Sequence, residues 1–187
     1  MKTLRKTAEE AYLKYANKII NRETWIDGFI SGIQYKKEYP QSIELCGLLW
    51  DTENLAIGGY EKDGHHYYTW HEAMEAARSV GKRLPTWQEW EALCDLGSTW
   101  DDELKGRWFG GNHNSDHKGS LFLPAAGLRS LSGGLAYTSS YGYYWSSSPT
   151  YGGNNNAGNL NFYSGSVYPL NIGNRAYGFS VRCVQNK

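Results

Sequence analysis

Residues 86–97, TWQEWEALCDLG, contain the clearest helix start and end in this sequence. Thr86 and Glu89 have the spacing of a capping box, in which each side chain accepts a hydrogen bond from the main-chain amide of the other residue. Trp90 then falls on an apolar helical face, and Gly97 has the residue type that ends a helix. The stretch therefore predicts a short helix that buries its aromatic face.

The same pattern occurs earlier, in residues 69–81, TWHEAMEAARSVG. Glu72 follows Thr69 by three residues, which again predicts a capping box. The alanines and methionine at positions 73–77 favour a helix, and Gly81 predicts its end. Two short capped helices thus lie close together in the chain.

Helical periodicity is absent after residue 98, where short apolar runs lie among Gly, Ser and Asn. These runs predict strands at residues 121–126, 143–148, 157–163, 166–170 and 178–184. In the last run, Phe179, Val181 and Cys183 alternate with polar residues, as in a strand with two different faces. Strands after a helical pair predict an α+β fold with a small antiparallel sheet and long loops.

Strands are also predicted before the first helix. Residues 45–50 form an apolar run that is typical of a buried strand, and we expect residues 55–60 to pair with it across a turn at 51–54. Asp63-Gly64 predicts a further turn.

The first 40 residues predict a helical appendage. Apolar residues recur at helical spacing over positions 4–20, and Thr24 can cap a second helix that Pro40 ends. These helices can form a hairpin or an oligomer seam, but their short apolar stripes favour packing onto their own domain. We therefore expect an appendage at residues 1–40 and a main domain at residues 41–187.

The overall composition excludes several function classes. The chain has 187 residues, 40% of them apolar, with 19 basic and 19 acidic side chains. A neutral balance does not favour nucleic acid, and no apolar run is long enough to cross a bilayer. The N-terminal residues lack the apolar core of a secretory signal. Three cysteines do not make a disulfide scaffold, and we expect all three to be small buried apolar groups.

Charge is unevenly distributed along the chain. All 19 acidic residues precede residue 117, whereas the remainder carries Lys and Arg but no Asp or Glu. Such a shift indicates that the C-terminal part has a different role. It slightly favours neutral or acidic partners.

Residues 137–178 have the composition of antibody binding loops. Most of this segment is Tyr, Ser, Gly and Asn, with a sparse apolar frame that includes Trp145, Leu160 and Phe162. Tyr supplies rigid contact area at low entropic cost, and Ser, Gly and Asn supply adaptable hydrogen bonds. A passive loop region explains the Gly and Asn but not the tyrosines. The segment therefore predicts a binding surface.

Two motifs carry a resemblance to a known family. Residues 81–91, GKRLPTWQEWE, resemble the signature of the formylglycine-generating-enzyme-like branch of the C-type lectin fold. Residues 144–148, YWSSS, and 174–184, NRAYGFSVRCV, are similar to the ending of variable proteins from diversity-generating retroelements, which occur in phages and gut bacteria. Together the motifs cover about residues 41–187. The resemblance implies a C-type lectin-like domain with a variable region at about 141–178.

The resemblance also implies how the composition arose. In that family a reverse transcriptase misreads adenines of a template repeat, so that Asn codons become codons for many residues on a fixed backbone. We expect the diversified, ligand-binding side chains to point outward. By position they are Tyr151, Asn154, Asn155, Asn156, Asn159, Asn161, Tyr163, Ser166, Tyr168, Leu170, Asn171, Ile172 and Tyr177.

Enzymatic activity is not expected. The alternative suggested by the first motif is a formylglycine-generating oxidase, which uses a nearby cysteine pair late in the chain to bind copper and attack a thiol. Only Cys183 lies in the C-terminal half, on the apolar face of a predicted strand. The catalytic pair is absent, and we expect Cys183 to pack.

Metal ions and other cofactors are not expected either. His113, Asp116 and His117 have a spacing that suits one helical face, but they lie among Gly, Asn and Ser, which favours a solvated loop over a zinc site. The absence of Asp and Glu after Asp116 argues against a calcium site in the C-terminal loops.

The sequence thus predicts a binding protein whose partner is a cell-surface protein or glycan. Phage tail assembly without diversified binding is the alternative. We expect no nucleic-acid partner and no membrane insertion, and relatives of this type suggest a homo-oligomer in the form of a trimer. A location in a virion tail or in the bacterial cytoplasm follows from the missing signal.

Overall fold

The computed structural model describes residues 42–111, 117, 119–150 and 155–187. The predicted N-terminal appendage, residues 1–40, lies outside these described residues. So do His113 and Asp116 of the predicted loop, and Tyr151 and Asn154 of the predicted binding residues.

The two predicted helices are confirmed. Helix α1 is Trp70–Ser79 and helix α2 is Trp87–Asp95. In α2 the Glu89 amide donates to Thr86 Oγ1 at 3.2 Å, and the Thr86 amide donates to Glu89 Oε2 at 2.7 Å. Glu72 Oε2 accepts from the Thr69 amide in the same way at 2.8 Å. Both capping boxes form because their partners are local in sequence.

Strands and helices together make a mixed α+β fold with several small antiparallel sheets. The strands of the described residues are β1 (Ser42–Leu45), β2 (Leu48–Asp51), β3 (Tyr60–Lys62), β4 (His65–Tyr67), β5 (Ser98–Asp101), β6 (Gly106–Phe109), β7 (Leu121–Pro124), β8 (Leu128–Arg129), β9 (Leu135–Ala136), β10 (Tyr141–Pro149), β11 (Asn156–Tyr163), β12 (Val167–Asn174) and β13 (Val184–Asn186). The sheets have the orders β1-β2-β13, β3-β4, β5-β6-β7, β8-β9 and β10-β11-β12.

The first predicted strand pair was wrong. Cys46 and Gly47 have φ angles of 52° and 74°, so they turn the chain between β1 and β2 within the predicted strand at residues 45–50. Strand β2 pairs with β1 and with β13, not with residues 55–60. This turn also leaves Cys46 exposed instead of buried. The Asp63-Gly64 turn is confirmed, because it joins β3 to β4.

The last predicted strand is only partly regular. Residues 178–184 are all buried, and Phe179 and Ser180 make isolated bridges to Tyr68 and Tyr144. A regular ladder begins only at Val184, where β13 pairs with β2. The segment lies between neighbours on two sides, so alternation along it does not separate a buried from an exposed face.

Large aromatic side chains fill the core. One cluster includes Trp50, Trp90, Tyr144 and Phe162, and another includes Trp145 with residues of α1 and of the C-terminal segment. Their polar atoms bond to main-chain oxygens: Trp90 Nε1 donates to Trp145 O at 3.3 Å, and Tyr144 OH donates to Pro124 O at 2.8 Å. Such bonds satisfy buried donors and join distant parts of the chain.

A buried arginine joins the two ends of the domain. Arg182 is fully buried, and its Nη1 donates to the Asp51 main-chain oxygen at 2.9 Å. Its Nε and Nη2 both donate to Asn54 Oδ1, at 3.1 and 2.7 Å. These bonds fix the C-terminal segment against the end of β2 and the residues that follow it.

In the described part of the chain, α1 and α2 are too short and too polar to cross a bilayer.

Candidate binding surface

Strands β10, β11 and β12 arrange aromatic and amide side chains in rows across one face of their sheet. Because cross-strand partners share a face, Tyr141 lies beside Tyr163, and Asn161 lies between Tyr143 and Tyr168. In the next row Asn159 lies between a buried tryptophan, Trp145, and Asn171 of β12.

We call the tyrosines of this face and its border the tyrosine face, which comprises Tyr137, Tyr141, Tyr143, Tyr163, Tyr168 and Tyr177. Neighbouring ring centroids are close: 5.2 Å for Tyr137–Tyr141, 6.1 Å for Tyr141–Tyr143, 5.2 Å for Tyr141–Tyr163 and 6.4 Å for Tyr163–Tyr168. Tyr177 joins the group through Phe179, whose ring lies 5.9 Å from Tyr177 and 5.1 Å from Tyr143. Mutual ring contacts hold these side chains in a continuous surface.

Exposure differs across the tyrosine face. Tyr137 is 57% exposed and Tyr168 is 48% exposed, whereas the other four rings are partly buried. Burial raises the pKa of Tyr143 to about 12. Tyr163 has the opposite shift, because hydrogen bonds from Ser166 and Tyr168 lower its pKa.

The predicted binding residues that are accessible differ in exposure. Asn155, Tyr168, Leu170 and Ile172 are exposed. The partly exposed ones lie on β11, on β12 or in the adjoining turns, and they are Asn156, Tyr163, Ser166, Asn171 and Tyr177. Leu170 and Ile172 are each about half exposed, which is unusual for aliphatic side chains on a strand.

Two predicted contact residues were placed wrongly. Asn159 is fully buried and Asn161 is 7% exposed, so neither points outward. Phe179 covers Asn159, and the absence of a side chain at Gly173 makes room for it, since a Cβ there would lie 2.9 Å from Phe179 Cε2 and 3.1 Å from Asn159 Nδ2. Asn161 Nδ2 instead donates to the Gly142 main-chain oxygen at 3.1 Å. Both amides belong to the framework.

An irregularity in β12 changes which of its side chains share a face. Asn159 and Asn161 are two residues apart on β11, but their partners Asn171 and Tyr168 are three residues apart on β12. The extra residue makes a β-bulge between Tyr168 and Asn171. This stretch includes Pro169, which has no amide hydrogen to donate to a ladder. A strict two-residue alternation along β12 therefore fails at this point.

Three framework side chains hold the sheet ends through main-chain oxygens. Arg107 is 7% exposed, and its Nε and Nη2 donate to the oxygens of Tyr163 and Ser164 at 3.0 and 2.9 Å. Arg175 Nε donates to Asn156 O at 2.9 Å, and Trp70 Nε1 donates to Ser146 O at 2.7 Å. Bonds of this type do not depend on which side chain the accepting residue carries.

Cations near the surface are partnered by rings. The Arg175 guanidinium lies 4.4 Å from the Trp70 ring centroid, and the Arg129 guanidinium lies 4.6 Å from the Tyr60 ring centroid. This geometry is a cation–π contact. The sequence contains no carboxylate side chain after Asp116, so residues 137–178 present no acidic group of their own.

The cysteines have protonated thiols at neutral pH. Burial raises the pKa of Cys94 and of Cys183 to about 12, and burial together with Asp95 raises that of Cys46. Cys183 is fully buried in a core cluster, Cys94 is half-buried, and Cys46 is exposed.

The described residues contain no group of three or more His, Cys, Asp and Glu side chains that could hold a metal ion. His117 is described, and its ring stacks on Trp108 with centroids 4.3 Å apart.

The sequence analysis did not select three members of the tyrosine face, Tyr137, Tyr141 and Tyr143. The signal was present, since all three lie in the Tyr-rich segment 137–178. They were missed because only the fold brings β10 and the preceding turn beside β11 and β12.

Comparison with known proteins gave no match among family models, curated proteins or solved structures.

Proposed function

We propose that this protein binds a partner protein through the tyrosine face. The observation that carries the proposal is the group of five tyrosines in ring contact, to which Tyr177 is joined through Phe179. Pre-positioned tyrosines give contact area with little loss of side-chain entropy. Tyrosine is enriched among the residues that contribute most to protein–protein binding, which favours a protein partner over a glycan.

The separation of framework and surface supports diversified binding. Arg107, Arg175 and Trp70 hold main-chain oxygens, so the side chains of the accepting residues can change while the backbone stays in place. Surface substitutions away from such anchors change stability little. We therefore propose the retroelement-diversified class for this chain, with Asn159 and Asn161 excluded from the contact residues.

The roles of the two motifs support a C-type lectin-like domain. In the first motif Arg83 forms an ion pair with Glu89 at 2.7 Å, and Trp90 is fully buried. In the second motif residues 178–184 are buried throughout. Both motifs thus supply framework residues, and most of the tyrosine face lies between them in sequence, with Tyr177 inside the second motif.

The protonated state of the thiols supports binding over thiol oxidation. A thiolate is the nucleophile and the copper ligand in such chemistry, and burial disfavours the thiolate of Cys94 and Cys183.

A binding selection tests the surface. Random peptides displayed on yeast would be selected on the full-length chain and then measured against Tyr168→Ser and, as a matched control, Tyr60→Ser. Tyr60 is 39% exposed, and among the described residues its ring contacts Tyr67 and the Arg129 guanidinium but no ring of the tyrosine face. We expect most selected peptides to lose about tenfold in affinity for Tyr168→Ser and to bind Tyr60→Ser like the wild type. Equal binding to both variants would contradict the proposal.

The coding DNA tests diversification separately. Under adenine mutagenesis, codons at Tyr163, Tyr168, Leu170 and Ile172 descend from AAY codons and end in C or T. A nearby reverse-transcriptase gene with a near-identical template repeat is also expected. Codons that commonly end in A or G at these positions would overturn the diversification mechanism. The peptide selection would still test the binding surface independently.

A further inference from the structure

Tyr137 has a backbone conformation that is unfavourable for a tyrosine. Its φ angle is 60°, in the left-handed region that bulky side chains rarely adopt. Glycine occupies this region without steric cost. Tyr137 is nevertheless 57% exposed, so burial of its ring does not explain why a tyrosine stands here.

The surrounding main chain imposes this conformation. The Tyr137 oxygen accepts hydrogen bonds from the amides of Ser140 and Tyr141 at 3.2 and 3.0 Å. Beneath it, Gly127 approaches so closely that a Cβ there would lie 2.9 Å from the Tyr137 carbonyl carbon. The turn is thus fixed by contacts that any residue at position 137 would make.

Ser139 provides an internal comparison. It has the same φ angle, 61°, in the same turn, and its amide donates to Ala125 O at 2.8 Å. Its small exposed side chain makes no ring contact with the tyrosine face. The turn therefore needs two left-handed residues, but it does not need an aromatic ring at either of them.

We infer that Tyr137 is an anchor residue of the tyrosine face, kept in a strained turn because its ring contacts the partner. Strained residues that the surrounding structure fixes cluster at ligand-contacting positions. The ring lies against Tyr141 and Tyr143 at 5.2 and 6.4 Å, which leaves its outer side free for an apolar or aromatic side chain of a partner protein. This inference rests on the proposed function and assigns the anchor role within the tyrosine face to a residue that lies before the sheet in sequence.

The test compares stability and binding in the full-length chain. Tyr137→Gly and Tyr137→Asn introduce residues that accept a left-handed conformation, and Ser139→Gly relieves the same strain without touching a ring. The probes are the displayed peptides selected on the wild type. We expect both Tyr137 variants to keep or raise the Tm, by up to about 2–4 °C, and to lose about tenfold or more in peptide affinity. Ser139→Gly should change the Tm in the same direction and leave the affinity within about twofold.

Other outcomes overturn the inference in distinguishable ways. If Tyr137→Gly binds the peptides like the wild type while Tyr168→Ser does not, the anchor role fails and the binding surface stands. If neither variant changes binding, or no peptide is selected at all, both proposals fail. A fall in Tm for Tyr137→Gly and Tyr137→Asn alike would show that the ring stabilises the turn, which also contradicts the inference.

Discussion

The Nε of Arg107 lies 3.0 Å from the main-chain oxygen of Tyr163, and this bond connects the β5-β6-β7 sheet to the end of β11. Arg107 also donates to the Ser164 main-chain oxygen at 2.9 Å, and to the Ser98 hydroxyl and main-chain oxygen at 2.7 and 3.5 Å. A buried guanidinium is costly unless its donors are satisfied. Here they are satisfied by the turn that orients Tyr163 in the tyrosine face.

Replacing Arg107 should loosen that turn. Arg107→Met leaves two main-chain oxygens without their donor, so we expect the free energy of unfolding to fall by about 1–3 kcal/mol. Urea denaturation measures this loss, and hydrogen exchange should become faster at residues 164–167. The matched control is Lys105→Met, because the Lys105 side chain is 49% exposed and should change stability little. Unchanged exchange at the turn in Arg107→Met would refute the anchoring role.

Two tyrosines of the same sheet should differ strongly in what their removal costs. Tyr144 is fully buried and donates to Pro124 O, whereas Tyr168 is 48% exposed. We expect Tyr144→Ala to cost about 3–5 kcal/mol of stability and Tyr168→Ala to cost less than about 0.5 kcal/mol. Thermal and urea unfolding of the two variants measure the difference. Similar losses in both would mean that the tyrosine face is part of the core.

Asn159 should not tolerate a charge. Its side chain is fully buried, and its Nδ2 has no hydrogen-bond partner among the described residues. Asn159→Asp would bury a carboxylate without a compensating cation, so we expect a loss of about 3–5 kcal/mol at neutral pH. The loss should shrink in acid as the carboxyl group is protonated. Asn155→Asp is the control, since Asn155 is exposed. A stable Asn159→Asp variant would return Asn159 to the contact residues.

Buried and half-buried tyrosines predict alkaline unfolding. Burial raises the pKa of Tyr67, Tyr68 and Tyr143 from 10.0 to about 12. A folded-state pKa above the unfolded value means that their contribution to stability is fully present below pH 10 and is lost as the pH rises from 10 to about 12. Free energies of unfolding measured across this range should fall with increasing pH, in step with phenolate absorbance. A flat profile between these pH values would contradict the assigned burial.

Local sequence determined the elements whose partners are close in the chain. Thr86 with Glu89 and Thr69 with Glu72 set the starts of both helices, and Asp63-Gly64 set a hairpin turn. The Tyr-rich composition of residues 137–178 by itself also indicates a contact surface. These features depend on three or four neighbouring residues, or on composition alone, so no long-range contact is needed to infer them.

Only the tertiary structure decided which side chains face outward. Asn159 has the same residue type as the exposed Asn155, but Phe179 covers it, because a segment some twenty residues later folds back over β11. Tyr137 joins Tyr141 and Tyr163 through a left-handed turn that its own sequence does not favour. Exposure on a two-sided sheet depends on what packs against each face, and that is fixed by residues distant in sequence.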